Sequence, residues 1–68
     1  MKPEEGVVQS FDAATGDGVI VLWNDETIPF TRDAVLLPDP NALQVGDHVA
    51  FVWNDGPDGS FATEVAVV

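Results

Sequence analysis

Gly18-Val19-Ile20-Val21-Leu22-Trp23-Asn24-Asp25-Glu26-Thr27-Ile28-Pro29-Phe30-Thr31 is the stretch that decides the fold class. Val19 to Trp23 is an unbroken apolar run rich in β-branched residues, Asn24-Asp25-Glu26 is turn chemistry, and Thr27 to Thr31 leads back. That order spells a β-hairpin, not a helix. Side chains of a strand alternate between its faces, so Ile20 and Leu22 point toward a core and Val19, Val21 and Trp23 point away from it.

The same reading extends in both directions. Val7 to Asp12 is an earlier strand, stopped by Ala-Ala-Thr-Gly-Asp-Gly at 13 to 18. After the hairpin, Arg32 to Leu43 carries Pro38 and Pro40 and reads as a long connection, with one helical turn near Asp33-Ala34-Val35. His48 to Trp53 is a fourth strand, Asn54 to Gly59 a turn, and Ser60 to Val68 a fifth strand. Apolar residues never recur at helical spacing for long. The expectation is an all-β, five-stranded antiparallel Greek-key barrel, with Val8, Ile20, Leu22, Phe30, Val49, Phe51 and Val65 inward. Trp-Asn-Asp occurs at 23 to 25 and again at 53 to 55, each time where a strand meets a turn, and is read as turn chemistry, not a repeat.

Length and charge bound the function. Sixty-eight residues suffice for one small domain, 1 to 68, and the absence of Cys removes disulfides and thiol chemistry. No apolar run is long enough for a membrane span, and Met-Lys-Pro-Glu-Glu does not open a signal peptide, so a cytoplasmic location is expected. Twelve Asp and Glu against two cations, Lys2 and Arg32, give a net charge of −10. A polyanion should be repelled.

Five pieces, in one order and spacing along the whole chain, resemble the cold-shock domain, an oligonucleotide-binding (OB) barrel of about this length. Gly6-Val7-Val8 with Phe11-Asp12 is similar to the family's first strand, G-T-V-K-W-F-N. Thr15-Gly16-Asp17-Gly18-Val19-Ile20 stands where the family has K-G-F-G-F-I, and Ile28 to Val35 where it has V-F-V-H-F-S-A-I. Leu43 to Phe51 looks like L-x-E-G-Q-x-V-x-F, and Asn54 to Gly59 with Ala62 and Val65 resembles the closing G-P-x-G-P-x-A-x-x-V. The matches are glycines and apolar positions of the scaffold.

The resemblance implies a single-strand-binding face of aromatic rings ringed by lysines, and this chain departs from it there. The first-strand Trp position is Ser10, the Phe positions of the first motif are Asp17 and Val19, and the Phe, His and Phe of the second are Pro29, Thr31 and Arg32. The family's lysines correspond to Gln9, Thr15, Asn41 and Asp58, and a Phe of the long link to Pro40. A base stacked on an aromatic ring gains about 1 to 3 kcal/mol, so about six missing rings outweigh the whole free energy of a micromolar complex, about 8 kcal/mol. Two cations neutralise at most about two phosphates. The candidate interaction surface comprises Ser10, Asp17, Val19, Trp23, Pro29, Thr31, Arg32 and Phe61. Asp17 between two glycines is either an acid reaching a basic partner or a turn residue. Trp23, with outward Val19 and Val21, is either a protein-contact patch or a lid folded over its own hairpin.

Other chemistry finds little support. His48 follows Asp47, yet Ser10 and Ser60 sit in no nucleophile motif, and His48 reads as an exposed strand residue. Asn54 to Gly59 has the oxygen density of a calcium loop without its spacing. The expectations are no enzyme, no cofactor and no metal. Three functions stay open: protein contact with a basic or mixed partner, weak single-strand binding by a salt-adapted protein, and imitation of phosphates by carboxylates. Carboxylate repulsion is screened over about 10 Å at 0.1 M salt. The melting temperature should therefore rise as NaCl is added between low and moderate ionic strength, measured by circular dichroism, and a flat or falling curve would show acids that are paired or well spaced.

Overall fold

A computed structural model describes residues 3–36 and 42–68. The chain runs β1 (Pro3–Phe11), β2 (Gly18–Val21), β3 (Thr27–Phe30), a 3₁₀ turn (Arg32–Ala34), β4 (His48–Gly56) and β5 (Gly59–Val67). The strands close into a barrel in the order β1-β2-β3-β5-β4. Lys2, Pro38, Pro40 and Asn41, singled out above, lie outside the described residues.

All seven residues expected to point inward are buried, joined by Ile28, Ala34, Val35, Leu43 and Ala62. No polar or charged side chain is buried among the described residues. The sheet is mixed, which corrects the expected all-antiparallel arrangement. Four pairings are antiparallel, but β3 and β5 run parallel through the single pair Phe30↔Ala62, extended by a bridge between Val35 and Val65. Leu36 N–H donates to the Val65 carbonyl at 2.8 Å and tightens this seam.

Strand limits also differ from expectation. β1 begins at Pro3, not Val7, because Pro3 to Val7 pair with Val52 to His48 of β4. The last hairpin turns on Pro57 and Asp58 alone, since Asn54 and Asp55 are ladder partners of Phe61 and Ser60. Their side chains secure the extension: Asn54 Nδ2 donates to Thr63 Oγ1 at 2.8 Å, and the Asp55 carboxylate accepts from the Ser60 hydroxyl and from Trp53 Nε1. Those two bonds, the Ser60 one foremost, hold the Asp55 carboxyl below its ordinary value. Pro57 presets the backbone angle of the turn.

Two bulges set which way side chains face. Gln9 is the extra residue of β1, between the pairs Val8↔Ile20 and Ser10↔Val19. On β5, three steps from Thr63 to Ala66 oppose two on β4, and Glu64 there takes a positive φ of 53°. The extra residue lets Ala62 and Val65, three apart, both reach the core.

Gly18 is in register with Phe11 on β1 and Phe30 on β3. Across it the two rings stack at 6.4 Å with 9° between their planes. A Cβ at Gly18 would stand 2.5 Å from Phe30 Cζ and 2.6 Å from the Ser10 carbonyl oxygen. Gly18→Ala should therefore cost about 1 to 2 kcal/mol and lower the melting temperature by roughly 10 °C. An unchanged melting curve would show that the ring yields freely.

Candidate functional site

The outer face of β1, β2 and β3 carries Ser10, Val19 and Pro29 in one registered row. The β1 bulge creates it, because Gln9 takes up the extra position and brings Ser10 opposite Val19. A concavity of about 500 Å³ opens over this row, lined also by Asp12, Asp17 and Thr31. Asp17 is held at its rim by the loop that joins β1 to β2. Asp12 N–H donates to the Asp17 carbonyl at 2.8 Å, and Gly16 N–H to the Asp12 carbonyl at 2.7 Å.

A second concavity, of about 360 Å³, lies over the parallel β3–β5 seam. Its wall is apolar through Ala34, Leu36, Phe61 and Ala62, with carboxylates from Asp33 and Glu64. The two concavities adjoin along Pro29, Phe30 and Thr31. Together they form a trough whose lining includes the apolar Val19, Pro29, Leu36 and Phe61 and the acids Asp12, Asp17, Asp33 and Glu64. Phe61 is 42% exposed and Leu36 60%, so both offer apolar area to a ligand. Among the described residues, no lysine or arginine lines either concavity.

Six of the eight candidate residues, Ser10, Asp17, Val19, Pro29, Thr31 and Phe61, thus meet in one trough. Arg32 does not line it. Its aliphatic stem lies across the β1–β2 loop on Gly16, where any Cβ would come within 2.4 Å of Arg32 Cβ. Gly16 also has a φ of +82°, so the position requires glycine twice over. Trp23 is separate as well. It belongs to the β2–β3 turn, not to β2, and is 90% exposed, which rules out the lid over its own hairpin. Asp12, Asp33, Leu36 and Glu64 were missed from sequence, because the β1–β2 loop, the β3–β5 seam and the β5 bulge bring them to the trough; the three-residue spacing of Ala62 and Val65 was the available signal for the bulge.

Among the described residues, no group of three or more His, Asp or Glu side chains is placed to hold a metal ion. None of their helices is long and apolar enough to cross a membrane. Ser10 and His48 line different concavities.

No family model matches the chain. A stretch of 61 residues is 33% identical to part of a protein of Aspergillus campestris named an unguisins hydrolase, covering 84% of this chain and 11% of that protein. The chain therefore spans about a ninth of the length of the curated relative it matches.

The arginine stem makes a structural prediction at the site's edge. Arg32→Ala removes the cover over Gly16 and should cost about 1 kcal/mol, whereas Arg32→Met keeps the stem and should cost less than half as much. Equal losses in thermal melts would assign the effect to the charge instead.

Proposed function

We propose that this chain is an acidic cold-shock-like OB barrel, a single non-enzymatic domain whose nucleic-acid face has been replaced by a surface for protein contact. The five-piece sequence resemblance and the closed five-stranded barrel support the OB reading, in which a Greek-key path and a parallel β3–β5 closure belong together. The observation that carries the functional reading is the trough, where Ser10, Asp17, Val19, Pro29 and Thr31 stand at positions at which the resembling family stacks bases, and Asp12, Asp33 and Glu64 add further acids to the lining. Asp12, Asp17, Asp33 and Glu64 lie along its length. A phosphate chain laid there meets like charge within a Debye length of about 10 Å. An extended protein segment with apolar residues between basic ones meets complementary charge and apolar cover. A cytoplasmic site of action fits the Cys-free composition.

Phe61 favours the second reading, weak single-strand binding, because with the half-buried Phe11 it leaves two partly exposed rings on this face for bases. At about 1 to 3 kcal/mol each, two rings stay short of the 8 kcal/mol or so of a micromolar complex.

Restoring the platform separates the two. The unmodified protein should show no saturable binding of a heptathymidylate at 0.15 M salt in a fluorescence titration. Ser10→Trp with Val19→Phe and Pro29→Phe should raise affinity at least roughly thirty-fold, because each ring adds about 1 to 3 kcal/mol. Micromolar binding by the unmodified protein would overturn the proposal and establish the second reading.

A further inference from the structure

A third concavity, of about 370 Å³, lies away from the trough, and its walls carry Trp23, Val7, Val21, His48, Glu5 and Asp25. Register explains the grouping. Val7 is the direct partner of Val21 on β2 and of His48 on β4, so three strands place these side chains in one row. Trp23 follows two residues beyond Val21, in the turn that leads to β3.

That turn fixes the backbone of Trp23 while leaving its ring in solvent. Asp25 N–H donates to the Leu22 carbonyl at 3.0 Å, and Leu22 N–H to the Glu26 carbonyl at 2.7 Å. Asp25 has a positive φ of 68°, as in a three-residue hairpin loop ending in a left-handed residue. Asn24 closes the loop from its side chain, donating to Glu26 Oε1 at 2.9 Å and accepting from Glu26 N–H at 3.2 Å. The indole is nevertheless 90% exposed. A large uncovered ring on a fixed backbone offers contact area to a partner.

The chemistry of the walls selects the occupant. An indole face attracts a cation, two carboxylates can pair with it, and the valines suit an aliphatic stem. One side chain has all three complements: arginine, with a planar guanidinium on an aliphatic stem. We propose that this groove binds an arginine side chain of a partner protein, with the guanidinium against Trp23 and between Glu5 and Asp25 and the stem along Val7 and Val21. Among the described residues the site shares no lining residue with the trough, and it does not depend on what the trough binds.

The test is a nitrogen-15 NMR titration of the 68-residue chain with the peptide acetyl-Val-Arg-Val-amide, beside its Gln and Glu analogues. The Arg peptide should move the Trp23 indole N–H and the Val7 and Val21 amides together, leave the Trp53 indole N–H in place, and bind at least tenfold more tightly than the Gln peptide. Trp23→Ala should weaken binding about tenfold. Glu5→Gln and Asp25→Asn, the latter keeping a residue tolerant of positive φ, should each weaken it several-fold without changing the melting temperature by more than a few degrees. Equal binding of the Gln peptide would overturn the cation assignment. Arg-peptide shifts spread evenly over the carboxylates, with Trp23→Ala binding as the parent does, would reduce the effect to general attraction by a chain of charge −10 and overturn the site.

Discussion

Phe30 is the residue on which the barrel turns. Its backbone faces Gly18 of β2 on one side and Ala62 of β5 on the other, and the second pair is the only strand-to-strand register between β3 and β5. Its ring passes over Gly18 to stack on Phe11, so backbone and ring of one residue together tie β1, β2, β3 and β5. A 68-residue chain without disulfides has little apolar area to spend, and it places much of it at this closure. The same closure leaves a seam where β3 and β5 part, and one of the two concavities of the trough lies over that seam.

Period-two alternation was enough to find the inward residues, because a strand with one buried face permits no other register. It worked for Ile20 and Val49, which sit in regular pairings, and also for Leu22, one residue past the end of β2, and for Phe51, opposite the β5 bulge. It could not show why Ala62 and Val65 are both buried, since an odd spacing requires a bulge and Glu64 is not a residue that announces positive φ. Asn54 and Asp55 misled for the opposite reason. They are turn formers by composition, but cross-strand bonds to Thr63 and Ser60 draw them into the ladder. Arg32 and Trp23 were named as candidates and fall outside the trough, because one is laid on Gly16 and the other is carried away by its turn. Side-chain direction in loops is decided by such contacts and leaves no periodic trace in sequence.

Charge and shape together bear on function more than either alone. A net charge of −10 on so small a body is a long-range repulsion for any polyanion, whatever the shape of the surface. The trough adds a local term, since Asp12, Asp17, Asp33 and Glu64 line it. The scarcity of exposed rings and the presence of acids on this face both disfavour a nucleic-acid strand. Both are compatible with a basic, partly apolar protein segment, for which the exposed Leu36 and Phe61 supply contact area and the acids supply orientation.

The central claim is that this face takes protein in preference to nucleic acid, and amide chemical-shift mapping of one labelled sample against both ligand classes tests it most directly. A peptide such as acetyl-Arg-Val-Phe-Val-Arg-amide should shift Ser10, Asp17, Val19, Thr31 and Phe61 as a saturable set, while an equimolar single-stranded heptanucleotide leaves them in place. The opposite pattern, with the strand moving those amides and the peptide none, would contradict the account.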